Sequence, residues 1–296
     1  IDTDGDGVIT RAEVQGAKSG AAVMQYSAVI MPAIIGCMAG VFCYFVCRLI
    51  ARKLRGGAGS VQPQGQSASA PPHMPPVRDV DAESVEEGRE QWNERGGADI
   101  EPVLRSGAVA ILNAKWVVDY HKRGGIIRRR QELPDEAFLA VDELIAAGEV
   151  SIGLRLALVS YPWLHPDHPD PKGTTLATLA KVLDAYLEAD GGVWGLFWDF
   201  PSLHQHPAGG ARTAAEDALF KQGLGALGSL YAHQYTTVFR ITLAPADHPF
   251  AYNLPEGANT GAYFDRGWCF TEACWAAMTK DYDFSLDLGK LTGDET

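Results

Sequence analysis

Hydrophobic and polar positions follow different rules in different parts of this chain. From Ser19 to Cys47 no charged residue interrupts the sequence, and the densest part, Ala28–Cys47, reads AVIMPAIIGCMAGVFCYFVC. About 20 apolar residues, rising about 1.5 Å each, just cross a hydrocarbon core of roughly 30 Å. The pattern therefore predicts one transmembrane helix within residues 19–50, kinked at Pro32. The basic cluster Arg48, Arg52, Lys53 and Arg55 follows the run at once. That order argues against a cleaved signal peptide, whose charges precede its apolar core. By the positive-inside rule it places the C-terminal part in the cytosol. Membrane lipid is thus an expected partner, and the small-residue pair Gly36 and Gly40 is a candidate homodimer contact.

Residues 51–100 read as a juxtamembrane basic segment and flexible linker. The stretch GGAGSVQPQGQSASAPPHMPP from Gly56 lacks the large apolar side chains needed to offset ordering entropy. The acidic stretch Asp79–Glu94 has partial helical character, ended by Gly96–Gly97. From residue 101 the pattern becomes an alternation of short apolar runs and helical periods. Ala108–Tyr120 and Glu136–Ala147 read as helices. Strands are then expected at Leu154–Ser160, Val193–Trp198 and Thr236–Leu243, and helices at Thr174–Ala189, Thr213–Tyr231 and Trp268–Met278. Such alternation predicts an α/β domain over residues 101–290, a flavodoxin-like parallel sheet covered on both faces. Ligands of such sheets collect at the C-terminal strand ends. Those ends carry Ser160–Tyr161–Pro162–Trp163 after the first strand and Asp199–Phe200 after the second, with the segment Tyr263–Trp268 near the third.

The net charge of −12 argues against a nucleic-acid partner, which needs a basic face. Of five cysteines, Cys37, Cys43 and Cys47 fall in the apolar run, while Cys269 and Cys274 share one helical stretch. That spacing makes neither a disulfide framework nor a zinc site. His165, His168, His204 and His206 lie in proline-broken loops, again without zinc spacing, and read as ordinary polar residues.

Residues 2–13, DTDGDGVITRAE, place oxygen ligands at alternating positions. Asp2, Asp4 and Asp6 offer carboxylates, Val8 its carbonyl, Thr10 a water-mediated contact and Glu13 a bidentate carboxylate. Gly7 allows the sharp turn. This stretch resembles the calcium loop of EF-hands, and the resemblance implies Ca2+ binding by residues 1–18. The entering helix of a full hand is missing, so the chain reads as part of a longer protein.

In the last predicted helix, Trp268, Glu272 and Trp275 share one face. A carboxylate between two indoles is desolvated, which raises its pKa and suits it to chemistry. Spacing alone fits better a glutamate near the helix start or one paired with Arg266. The ordered motifs SYPWL, VWGLFWDFPSLHQ, LYAHQ and RGWCFTE change that weighting. Over roughly residues 154–279 they are similar to heterokaryon-incompatibility (HET) domains and the related TIR domains. The resemblance implies a signalling or interaction domain that assembles with like domains. Its enzymatic TIR members cleave NAD between nicotinamide and ribose with the glutamate of a WCxxE helix, here Trp268, Cys269 and Glu272. On that reading Glu272 is catalytic, NAD is the substrate, and Ser160, Trp163, Asp199 and Trp268 bind it. The leaving nicotinamide is already cationic in NAD, so one carboxylate stabilising the ribosyl cation suffices.

Overall fold

The computed structural model describes residues 80–147, 153–207, 209–243, 254 and 256–291, all within one compact unit, Ala68–Thr296. Eight α-helices and six strands are found among them. In chain order they are α1 (Ala82–Glu94), α2 (Glu101–Arg105), β1 (Ile111–Asn113), α3 (Ala114–Lys122), β2 (Phe138–Leu139), α4 (Val141–Ala146) and β3 (Leu156–Ser160). Then come α5 (Thr174–Asp190), β4 (Gly195–Phe197), α6 (Asp199–Ser202), α7 (Ala214–Tyr231), β5 (Thr237–Arg240), α8 (Gly267–Thr279) and β6 (Ser285–Asp287).

The strands form one sheet in the order β2-β1-β4-β3-β5-β6. Pairings among β4, β3, β5 and β6 are parallel, whereas β1 runs antiparallel to both β2 and β4. The sheet is therefore mixed, which corrects the expectation of an all-parallel one. The antiparallel edge comes from two stretches expected to be wholly helical. In 108–120 the apolar run AVAIL is short enough to be a buried strand. Asn113 then ends it, its Oδ1 accepting from the backbone N–H groups of Lys115 (2.9 Å) and Trp116 (3.4 Å) to cap α3. In 136–147 strand β2 precedes the helix, and Glu143 reaches back to the N–H of Ala140 at 2.7 Å to start α4.

Alternation along β3 explains the layers. Ala157 and Val159 face a core with Leu176, Leu179 and Leu183 of α5 and Val117 of α3. Leu156 and Leu158 face the opposite core, with Leu227 and Leu230 of α7, Ala276 of α8 and Leu144 of α4. The period of two therefore turns Ser160, the last residue of β3, toward the side of α7 and α8. Beyond the expected domain start, α1 also packs on this second core. Its Trp92 is only 1% exposed, and Gly88 lies so close to Ile145 that a Cβ would overlap the Ile145 carbonyl.

Among the described residues no helix is long and apolar enough to cross a membrane, and no group of three or more His, Cys, Asp or Glu is placed to hold a metal ion. These findings correct the expectation of a membrane-spanning, calcium- and metal-binding chain as far as the described residues reach. The two longest of the described helices, α5 and α7, are interrupted by charged side chains, Lys181 and Asp184 in α5 and Glu216 and Asp217 in α7, as a membrane span is not. The apolar run 19–50 with Gly36 and Gly40, and the loop residues Asp2, Asp4, Asp6, Val8, Thr10 and Glu13, lie outside the described residues.

Because α1 is part of this core, Trp92→Ala should cost roughly 3–5 kcal/mol in urea unfolding. Gly88→Ala should also destabilise, because α1 must move off the Ile145 carbonyl. Wild-type stability in both variants would make α1 a linker after all.

Candidate functional site

Two short segments after parallel strands, and the start of α8, build one cavity of about 360 Å³. Its wall includes Tyr161 and Trp163 after β3, Asp199 after β4, and Arg266, Trp268 and Glu272 around the first turns of α8. Phe220, Leu224 and Leu227 of α7 close its apolar side. The volume lies within the roughly 300–1,000 Å³ usual for small-molecule sites.

Asp199 opens α6 directly after β4. Its carboxylate accepts from Trp163 Nε1 (2.8 Å), the Tyr161 hydroxyl (3.0 Å) and the N–H of Phe200 (2.7 Å). Burial raises its pKa from 3.8 to about 6, and the three donors limit the rise. The aromatic pair after β3 thus fixes the acid after β4. Trp163 is itself held edge-on against Phe200, with ring centroids 5.6 Å apart.

Glu272 sits in the second turn of α8 and is 8% exposed. Ser160 Oγ donates to its Oε2 at 2.6 Å, and the Tyr263 hydroxyl lies 2.6 Å from the same Oγ. A serine hydroxyl has a single proton, so while Ser160 donates to Glu272 the tyrosine donates to Ser160. Burial raises the Glu272 pKa from 4.5 to about 8. The Ser160 bond opposes that rise, the Asp199 charge adds to it and Tyr231 opposes it. Tyr231 is anchored by its hydroxyl on Val159 O at 2.7 Å. Beside Glu272, burial pushes the Cys269 thiol up to about 12, so it is a neutral wall group at pH 7.

The desolvation of Glu272 does not come from a sandwich of indoles. Trp268 stands at the cavity mouth, 59% exposed, and Trp275 packs toward Gly228 of α7. Nor is Arg266 its ion-pair partner: that guanidinium bonds the carbonyls of Gly261, Trp163 and Asn259. Of the residues expected to form the site, Trp163, Asp199, Trp268 and Glu272 share the cavity wall. Ser160 is fully buried behind Glu272 and positions it. Tyr161, Tyr263 and Arg266 lie in the strand-end segments expected to meet a ligand, but no binding or positioning role was expected of any of them. Tyr161 and Arg266 fall inside the motifs SYPWL and RGWCFTE, which was the available signal.

No protein-family model, no curated protein and no solved structure matches this chain. The site's chemistry must therefore be read from its own geometry. Two carboxyls on one wall with pKa values near 8 and 6 differ in protonation at neutral pH, the arrangement of an acid and a base. The loop histidines are engaged locally instead. His168 Nε2 meets the Ile127 carbonyl (2.8 Å) while its Nδ1 accepts from the N–H of Asp170 (3.1 Å), and His165 Nδ1 accepts from the N–H of Asp167 (3.1 Å).

A folded-state pKa raised above its unfolded value means the folded chain holds that proton more tightly. The resulting stabilisation is complete below about pH 4.5 and is lost as the pH rises through about 8. Asp199 acts in the same direction between 3.8 and about 6. Glu272→Gln keeps the hydrogen-bonding shape but cannot ionise. The variant should therefore gain stability relative to wild type between pH 5 and 9 in urea melts. A difference independent of pH would show that Glu272 is not held protonated.

Proposed function

We propose that the α/β domain is a HET/TIR-like module and that its cavity hydrolyses the nicotinamide–ribose bond of NAD. The observation that carries this reading is Glu272 itself, an otherwise buried carboxyl aligned by Ser160 on the wall of a ligand-sized cavity. Two further features support it. The motifs behind the family resemblance, at the ends of β3 and β4 and the start of α8, converge on that one cavity. The parallel strands run β4-β3-β5-β6, the order of the first four strands in flavodoxin-like sheets.

On this reading the free site holds a proton on Glu272 at neutral pH. A bound pyridinium ring brings a positive charge that favours the carboxylate, so the proton leaves as the substrate enters. Water oxygen then bonds to the ribose C1′ as the C1′–N bond breaks. Nicotinamide departs neutral with the bonding pair, and the Glu272 carboxylate stabilises the ribosyl cation between. Asp199, ionised above about pH 6, takes the proton of the attacking water. Trp268 offers its exposed indole face at the mouth for a planar ring.

A second reading rests on the rim. Trp268 on the cavity wall and Phe264, four residues before it, are both more than half exposed, which favours contact between like domains as the domain's use. The two readings combine if clustering activates the site.

Nicotinamide release from NAD by the full chain, free and artificially clustered, tests the proposal. Glu272→Ala should lower the rate at least about 100-fold. Trp268→Ala should raise KM with little change in melting temperature. In wild type, kcat/KM should rise with pH to a plateau above about 8, and the kcat profile should rise at lower pH. Absence of glutamate-dependent nicotinamide release at every pH, clustered or not, would sink the enzymatic reading.

A further inference from the structure

The cavity carries a positive charge that no acid among the described residues pairs with. Arg266 lines it immediately before α8. Its Nε donates to Gly261 O at 3.2 Å, its Nη1 to Trp163 O at 3.0 Å and its Nη2 to Asn259 O at 2.6 Å. A guanidinium has five N–H donors, so three bonds leave one free N–H on each terminal nitrogen. Burial pulls its pKa down, and among the described residues the charge acting against that is a Cys269 thiolate, which does not form at pH 7. Neither Glu272 nor Asp199 contributes. The side chain is also braced from two loops, since Trp163 follows β3 while Asn259 and Gly261 precede α8. Asn259 N–H is in turn bonded to Leu164 O at 2.8 Å. A cation fixed by carbonyls, with donors to spare on a cavity wall, is preorganised for an anion.

We propose that Arg266 is the anion subsite of this cavity and recognises a ligand phosphate. The site's polarity then matches one ligand class, a pyridinium ribose 5′-phosphate. Its cationic ring faces Glu272 and Asp199, and its phosphate faces Arg266. The ring assignment rests on the function proposed above, whereas the phosphate assignment stands on Arg266 alone. About 360 Å³ is near the small end of ligand pockets. It suits the nicotinamide mononucleotide half of a dinucleotide, with the rest passing out beside Trp268.

Binding calorimetry on the full chain carrying Glu272→Gln, which blocks turnover, compares nicotinamide mononucleotide with nicotinamide riboside. The two differ only in the phosphate. The mononucleotide should bind about tenfold or more tightly, as expected for hydrogen bonds to a charged group. Adding Arg266→Gln should collapse that gap, and Arg266→Lys should keep part of it. Equal affinities in the first chain would overturn the inference and leave the hydrolase reading intact. So would a gap that survives in folded Arg266→Gln.

Because Arg266 braces two loops, its loss can unfold the site, so a readout in the chain with Arg266 intact is also needed. There, inorganic pyrophosphate should compete with the mononucleotide but not with the riboside. Competition with neither, or with both equally, counts against an anion subsite at Arg266. Should neither nicotinamide compound bind, the hydrolase reading fails. Pyrophosphate binding that disappears in Arg266→Gln would still support the subsite, and no pyrophosphate binding would overturn it too.

Discussion

The hydrogen bond from Ser160 to Glu272 fixes what the rest of the site can be. A carboxyl group taken out of water without a partner costs several kcal/mol, roughly 2–7 even for a neutral polar group. Ser160 sits at the end of β3, a strand paired on both sides, so the partner it offers cannot shift. Helix α8 must therefore turn Glu272 toward that oxygen. Once this rotation is set, the neighbouring positions follow from helical geometry. Trp268, four residues earlier, lies over the same face one turn nearer the mouth. Trp275, three residues later, is directed at α7. Cys269 is carried inward. One bond of 2.6 Å decides which side chains of the last helix a ligand would meet.

The two acids of the cavity are both withdrawn from solvent, yet they hold their protons differently, and the reason is the number of donors. Asp199 collects an indole N–H, a phenol and a backbone N–H. Each favours the carboxylate, so burial moves its pKa only to about 6. Glu272 has one serine hydroxyl and a more distant tyrosine against the same penalty, and the charge on Asp199 pushes the same way as burial. Its pKa climbs to about 8. The difference is therefore written into which strand-end residues are aromatic donors. Tyr161 and Trp163 point to Asp199, and Ser160 alone points to Glu272.

Where the sequence was legible, an unbroken periodicity did the work. The runs ending at Ser160 and Trp198 have no competing pattern, and α5, α7 and α8 keep an apolar face over three or more turns. Strand β1 was hidden because five apolar residues before a helix extend its apolar face as plausibly as they form a strand. Only the capping role of Asn113 separates the two. Helix α1 was hidden for the opposite reason. Its sequence is acidic, and it meets the core through Trp92 and through Gly88, whose contribution is the absence of a side chain. No count of apolar positions registers that. In the site, the acids and indoles could be named from the motifs, but not their partners. Arg266 and Glu272 are six residues apart and oppositely charged, and the fold sends one to three carbonyls and the other to a serine. Partner choice for a charged group is set by tertiary packing, which spacing does not encode.

Lys280 provides the control for interpreting Arg266. It also has no acid partner among the described residues, and burial, deeper than at Arg266, lowers its pKa to about 7. Its ammonium meets the carbonyls of His233 and Thr236 and the Thr236 hydroxyl, just beyond the end of α7, where a cation offsets the helix dipole. Three donors meet three acceptors, so nothing is left for a ligand, and Lys280 does not line the cavity that holds Glu272. Arg266 differs on each count. It precedes a helix, where the dipole disfavours a cation, it keeps two donors unspent, and it opens on a cavity. Packing alone gives no use to an unpaired cation in that half-buried position. Together with a protonated carboxyl and an exposed indole on the same wall, it violates the usual rules of local consistency, as functional sites do. The compensation is expected from outside the chain, in a ligand whose charges are arranged in the reverse sense.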